Sequence, residues 1–90
     1  MSVLLITYDL NQETKRPNIT KRLKEGYPSW AKLSESSYAI STGNTPAEVQ
    51  AFLQPLLDEN DNTYIITLKG PYAGWGPKDV NEWLEKNLTY

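Results

Sequence analysis

Asp9 is the residue whose type and position most directly suggest chemistry, because it ends an apolar segment that runs from Val3 to Tyr8. A carboxylate at the end of a buried strand is well placed to bind a hard cation such as Mg²⁺, which combines carboxylates with water and substrate phosphates. In a second interpretation, Asp9 is a turn residue that accepts hydrogen bonds from the next backbone amides. A single Asp makes an incomplete metal site, but a two-fold dimer would bring two copies of Asp9 together and complete it.

Two residue types that dominate catalysis are missing, since the chain contains no histidine and no cysteine. The lack of cysteine excludes disulfides, thiol nucleophiles and thiolate zinc sites. The lack of histidine removes the commonest general base and the imidazole metal ligand. Any catalysis therefore depends on carboxylates, lysine, tyrosine, hydroxyl groups or a hard metal ion. Ser34, Ser36 and Ser37 have no histidine to activate them, and we interpret them as hairpin residues.

Positive charge is concentrated in the first third of the chain. Residues 1–32 contain six of the nine lysines and arginines but three of the eleven acids, although the net charge is −2. Four of these bases follow Asp9 and could steer a nucleic-acid backbone towards it; they are Lys15, Arg16, Lys21 and Arg22. The alternative is an ordinary solvated helix face, with Lys21, Arg22 and Lys24 turned to water.

Two further motifs are interpreted as structural. The segment Asp58 to Asn62 resembles a calcium-binding loop only superficially, because it lacks the central glycine and has Lys69 at the twelfth position. We expect it to form a solvated turn. The segment Gly70 to Gly76 lacks the Gly-Lys-Ser/Thr ending of a phosphate-binding loop. Its Tyr72 and Trp75 could stack on bases, but we expect Trp75 to pack the last helix onto a sheet.

The strands that must position these residues are marked by short apolar, β-branched and aromatic runs. They are predicted at Val3 to Tyr8, Trp30 to Leu33, Ser37 to Thr42 and Tyr64 to Leu68. The first run is apolar on both faces, as in a central strand. We expect the last run to be a buried strand as well.

Three helices are marked by their start and stop signals. The first begins near Pro17 and ends at Gly26. The second begins with a capping box, Thr45-Pro46-Ala47-Glu48, and should be bent or shortened by Pro55. The third begins at Gly76-Pro77. One face of the third helix is predicted to carry Val80, Trp83, Leu84 and Leu88.

The order β-α-β-β-α-β followed by a helix predicts an α+β, ferredoxin-like sandwich, with residues 1–90 as a single domain. Right-handed crossovers place the two internal helices on one face of a four-stranded antiparallel sheet. The other face then needs a cover, which could be the C-terminal helix, a second subunit or a nucleic acid. No apolar run is long enough to span a bilayer and no signal-peptide pattern is present, so we expect no membrane partner and a cytoplasmic location.

The strand ending in Tyr8-Asp9, the basic first helix and the run from Ser36 to Ile40 resemble the second CRISPR-associated protein, the small adaptation subunit. The VapD toxin nucleases share the fold of that family. The run Tyr8 to Asn11, the Trp30 to Ser36 hairpin, Leu56 to Asp61 and Gly74-Trp75 before a Trp-containing helix are similar to a small SinR-like family. This chain has a C-terminal helix where CRISPR-associated members usually continue into a fifth strand.

The resemblance implies a homodimer in which Asp9 of each subunit meets its mate and binds Mg²⁺. The protein would then be a metal-dependent endonuclease acting on RNA or DNA phosphodiesters, with Lys15, Arg16, Lys21 and Arg22 along the nucleic acid. Two alternatives stay open on the same scaffold. One is a non-catalytic module that binds nucleic acid or protein, and the other is an assembly protein whose function is the dimer itself.

Overall fold

The structure, a computed structural model, describes all residues, 1–90, and has the predicted element order. The elements are β1 (Ser2–Asp9), α1 (Arg16–Gly26), β2 (Trp30–Ser34), β3 (Ser37–Thr42), α2 (Pro46–Leu53), β4 (Asn62–Leu68) and α3 (Lys78–Asn87). Short 3₁₀ turns precede α1 at Glu13–Lys15 and follow α2 at Gln54–Leu56. None of the three helices combines the length and apolar character needed to cross a bilayer.

The four strands form one antiparallel sheet in the order β2-β3-β1-β4. The central position of β1 agrees with its apolar residues on both faces. Within the sheet, Leu5 lies opposite Ala39 of β3 and Ile66 of β4. This topology confirms the α+β, ferredoxin-like sandwich.

Local signals account for the boundaries of α2. The Thr45 hydroxyl accepts a hydrogen bond from the Glu48 amide at 3.2 Å, and the Glu48 carboxylate accepts one from the Thr45 amide at 2.9 Å. This reciprocal pair is the predicted capping box. The helix ends at Leu53, and the chain continues as a 3₁₀ turn that contains Pro55. Proline therefore shortens α2 as expected.

The two faces of the sheet are covered to different extents. Helices α1 and α2 pack on one face, which holds the larger core: Leu4, Ile6, Tyr8, Leu10, Ile19, Leu23, Tyr27, Tyr38, Ile40, Val49 and Leu53. Helix α3 packs on the opposite face, where Leu84 and Leu88 contact Val3 and Ala39. The uncovered part of this second face, which we call the open face, carries Leu5, Thr7, Tyr64 and Ile66. The C-terminal helix is thus only a partial cover.

The prediction that the last strand is buried was wrong. Strand β4 pairs only with β1 and lies at the edge of the sheet. Its Tyr64 and Ile66 side chains face away from α1 and α2 and are 65% and 51% exposed. A β-branched, aromatic run predicts a strand, but the position of that strand in the sheet depends on pairing between distant segments.

The prediction that Trp75 packs the last helix onto the sheet was also wrong, because Trp75 is fully exposed. Trp83 takes that role instead. It packs beside the Leu84 and Leu88 cluster, and its indole N–H donates to the Ser29 hydroxyl at 3.3 Å. The predicted apolar face of α3 is confirmed, because Val80, Trp83, Leu84 and Leu88 all belong to this cluster.

Candidate functional site

A polar cleft, the Asp9 cleft, lies at the C-terminal end of β1 and has a volume of about 310 Å³. Its walls come from β1, α1, the β2–β3 turn and β4. The lining residues are Thr7, Tyr8, Asp9, Arg16, Ser36, Asn62 and Tyr64. The cleft therefore combines a carboxylate, a guanidinium, a hydroxyl and an amide, which are groups suited to binding a cation or a phosphate.

Strand β1 determines where the Asp9 side chain lies. Asp9 is the last residue of the strand, pairs with Asn62 and is exposed. Because side chains alternate along a strand, Asp9 shares the open face with Thr7 and Leu5. In the loop that follows β1, the Asn11 amide donates a hydrogen bond to Asp61 Oδ1 at 2.7 Å and not to Asp9. The hydrogen-bonding role considered for Asp9 as a turn residue thus belongs to Asp61.

Arg16 lines the same cleft as Asp9 and holds the β2–β3 turn in place. Its guanidinium lies 5.8 Å from the centre of the Tyr8 ring, and its Nε donates to Glu13 at 2.9 Å. A further N–H donates to the backbone carbonyl of Glu35. These bonds use only part of the five donors of the arginine fork. Arg16 is therefore both a structural residue and a candidate phosphate ligand.

Tyr8 also helps to hold the β2–β3 turn in place. Its hydroxyl donates to the Glu35 carbonyl at 3.0 Å. Burial, followed by the charge interaction with Tyr38, raises the pKa of Tyr8 to about 12. The phenol therefore stays protonated at neutral pH, where it acts as a hydrogen-bond donor and not as a general base.

Lys15 is engaged by two carboxylates of the turn after α2. Its Nζ pairs with Asp61 Oδ2 at 2.8 Å and also with Asp58. Hydrogen bonds with Asp58 and then Asp61 raise the pKa of Lys15. The charge of Lys15 is thus balanced within the chain, one residue before Arg16.

The prediction of a solvated acidic turn after α2 was wrong for Asp61, whose side chain has no exposed surface. Besides Lys15, Asp61 accepts hydrogen bonds from the amides of Asn11 and Asp58, at 2.7 and 2.9 Å. Nothing in the local sequence distinguishes Asp61 from Asp58 or Glu59. Its distant partners, Asn11 and Lys15, lie 50 and 46 residues earlier in the chain, and only the fold brings them to Asp61.

The remaining predicted bases on α1 lie away from the cleft. Lys21 is exposed and lies 3.9 Å from Glu25. Arg22 stacks on the Phe52 ring at 4.0 Å and donates to the Phe52 carbonyl, so it is not turned to water. Lys24 is exposed as expected, although its Nζ lies 4.4 Å from the centre of the Trp30 ring. Of the four predicted bases, the structure brings only Arg16 into one cleft with Asp9.

A metal ion in this cleft would have a single protein carboxylate from one chain. No cluster of three or more carboxylates, imidazoles or thiolates that could hold a metal lies anywhere in the structure. The oxygens present fit a Mg²⁺ ion that keeps most of its water and contacts substrate phosphate. A second copy of Asp9, supplied by a two-fold partner, would improve that fit.

Comparisons with known proteins identify the fold. No protein-family model matches the chain. Among solved structures, it is similar to a hypothetical protein, TT1823, from Thermus thermophilus, with a TM-score of 0.65 and 20% sequence identity. The match covers 84% of this chain and 94% of that one. Because the identity is this low, the similarity concerns the fold alone.

Proposed function

We propose that this protein is a homodimeric, Mg²⁺-dependent nuclease that hydrolyses RNA or DNA phosphodiesters, with Asp9 of each subunit as metal ligand and catalytic residue. The observation that carries the proposal is that Asp9 and Arg16 line one polar cleft at the C-terminal end of β1. The resemblance to the CRISPR-associated and SinR-like families supports it. We propose the cytoplasm as its location.

The open face supports a dimer in which the cleft is completed by a partner. Tyr64 and Ile66 expose apolar surface there, and Leu5 is only half-buried. An apolar sheet face that meets its own copy about a two-fold axis removes this surface from water. Tyr64 also lines the Asp9 cleft, so such a partner would lie next to Asp9.

Hydrolysis of a phosphodiester adds water across one P–O bond, leaving a hydroxyl on phosphorus and a proton on the departing oxygen. When bound, Mg²⁺ would polarise the phosphate and lower the pKa of a bound water. Asp9 holds negative charge at this end of the sheet. The free donors of Arg16 can bind a non-bridging phosphate oxygen and stabilise negative charge that develops on it.

The alternative function is a non-catalytic nucleic-acid-binding or protein-interaction module. One observation favours it: each chain supplies a single carboxylate to the cleft, and no larger cluster of metal ligands exists. Binding would then survive removal of Asp9. If phosphates are the target, it would weaken steeply with salt.

The deciding experiment compares wild type with Asp9→Asn on labelled single-stranded RNA and duplex DNA, with Mg²⁺ and with a chelator. Asp79→Asn is the matched control, because Asp79 is an exposed aspartate on α3, outside the cleft. We expect Mg²⁺-dependent cleavage by wild type and Asp79→Asn and at least a 100-fold lower rate for Asp9→Asn. Equal cleavage by Asp9→Asn, or no cleavage by any variant, contradicts the nuclease proposal.

A further inference from the structure

A second concave surface lies between the end of β4, helix α3 and the Gly70–Gly76 loop, and has a volume of about 450 Å³. We call it the Trp75 groove. Its lining includes Lys32, Leu68, Lys69, Tyr72, Trp75 and Leu84. Aliphatic side chains from the sheet and α3 thus meet aromatic side chains from the loop, which is a composition typical of ligand sites.

The loop that forms one wall of this groove is held in place by α3 and the C-terminal segment. The Tyr72 hydroxyl donates to the Asn81 carbonyl at 3.1 Å, and the Gly70 amide donates to the Thr89 carbonyl at 2.6 Å. A Cβ added at Gly74 would lie 2.9 Å from Asn81 Oδ1, so glycine permits the close approach of the loop to α3. The groove is therefore formed before any ligand binds.

Trp75 takes no part in fastening the loop. Its side chain is fully exposed, although indole is among the side chains that gain most from burial. The other two tryptophans are partly buried, Trp30 against the main core and Trp83 against the α3 cluster. The fold thus leaves both faces of one indole open at the mouth of a preformed groove.

The groove lining contains one charged residue that is free to contact a ligand, the exposed Lys69, in a protein whose net charge is −2. Lys69 takes part in none of the ion pairs of the structure. Lys32 pairs across the sheet with Tyr38, so its side chain lies on the face that α1 and α2 cover, opposite the groove, and its Nζ contacts Glu35 there at 2.9 Å. The groove therefore favours an anion that also offers a flat or apolar group.

We propose that the Trp75 groove binds single-stranded nucleic acid, with a base stacked on Trp75 and the adjoining phosphate beside Lys69. Stacking of bases on exposed aromatic rings next to positively charged side chains is the general way in which proteins bind unpaired strands. A duplex keeps its bases stacked on one another and offers the indole no face. This inference deepens the proposed function and rests on it, since it makes single strands the substrate class.

The position of the groove relative to the Asp9 cleft would allow a single nucleic-acid strand to contact both sites. Leu68 borders the groove and Tyr64 borders the cleft, on the same face of β4. Four residues of strand span roughly 13 Å. Strand β4 is at the edge of the sheet, so an oligonucleotide of a few units can run along its unpaired edge from Trp75 towards Asp9, outside the part of the open face that the partner covers.

The test is a fluorescence titration of the full-length protein in chelator, which measures binding without cleavage. The probes are a 12-nucleotide oligo(U), an RNA duplex of equal length and polyglutamate as a non-nucleic polyanion. We expect oligo(U) to quench tryptophan emission and Trp75→Ala to bind about 5- to 100-fold more weakly. Lys69→Gln should lower the slope of log K against log salt by about 0.7, whereas Lys78→Gln, an exposed lysine outside the lining, should leave it unchanged.

Several outcomes would overturn the proposal: equal affinity of Trp75→Ala and wild type, tighter binding of the duplex, or equal competition by polyglutamate. Because Trp75 is fully exposed, Trp75→Ala is not expected to unfold, which circular dichroism checks. The titration is repeated in Asp9→Asn. If binding depends on Trp75 but cleavage does not depend on Asp9, the nuclease proposal is rejected and the groove proposal is retained. If cleavage depends on Asp9 but Trp75→Ala leaves binding unchanged, the groove proposal is rejected and the nuclease proposal is retained.

Discussion

Lys15 and Asp61, separated by 46 residues in the chain, form an ion pair in which Nζ lies 2.8 Å from Oδ2. The Asp61 side chain has no exposed surface, and that of Lys15 is 20% exposed. The pair ties the loop after β1 to the turn before β4. Since these segments flank the end of β1, the pair helps to hold the backbone that presents Asp9 and Arg16.

Replacing Asp61 is therefore expected to destabilise the protein. Asp61→Asn removes the charge that pairs with Lys15 and weakens the hydrogen bonds from the amides of Asn11 and Asp58. We expect a lower urea midpoint with an unchanged m-value. Glu59→Gln is the control, because Glu59 is an exposed acid of the same turn that forms no ion pair. Equal midpoints for the two variants would contradict the prediction.

The same carboxylate predicts how stability changes with acid. The hydrogen bond with Lys15, followed by the amides of Asp58 and Asn11, lowers the pKa of Asp61 from 3.8 to about 2. A pKa lowered by folding means that the ionised form stabilises the native state. This contribution is complete above pH 3.8 and is lost as the pH falls towards 2. Acid titration followed by circular dichroism should show a flatter profile in this range for Asp61→Asn than for wild type.

The capping box of α2 gives a prediction with a defined size. Thr45→Ala removes the hydroxyl that accepts from the Glu48 amide, which typically costs about 1 kcal/mol. We expect the free energy of unfolding, measured in urea, to fall by about that amount. Thr14→Ala replaces an exposed threonine whose hydroxyl makes no hydrogen bond in the structure, and it should change stability by less than about 0.5 kcal/mol.

The bases on α1 should differ in their effect on nucleic-acid binding. Arg16→Ala removes a guanidinium from the Asp9 cleft and should weaken binding of an oligonucleotide about tenfold. Lys21→Ala removes an exposed charge outside the cleft and should weaken it less than about twofold. Fluorescence anisotropy in chelator measures both. A larger loss for Lys21→Ala would place the nucleic acid along the outer face of α1 and away from the cleft.

Formation of the proposed dimer should be sensitive to a charge placed on the open face. Ile66→Lys puts a charge on that face and should convert a dimer to a monomer in sedimentation equilibrium. Thr67→Lys changes the neighbouring exposed residue, which points to the other face of β4, and should leave the dimer intact. A monomeric wild type, or a dimer that survives Ile66→Lys, would remove the partner's Asp9 from the mechanism.

Much of the fold follows from short-range patterns. The capping box at Thr45, the stop at Gly26, the break at Pro55 and the apolar spacing on α3 act within a few residues, so they predict the elements and their order. The position of Asp9 at a strand end is predictable for the same reason. Whether Asp9 binds a metal stays a prediction.

The sequence by itself determined which segments are helices and strands, because hydrogen bonds within a helix and alternation along a strand depend on neighbouring residues. Only the tertiary structure decided that β4 is an edge strand, that Trp75 is exposed and that the Asp61 side chain is covered and pairs with Lys15. These facts depend on contacts between residues far apart in the chain, whose pairing no local pattern encodes. For the same reason, only the fold could show that Arg16 shares a cleft with Asp9 while Lys21 and Arg22 do not.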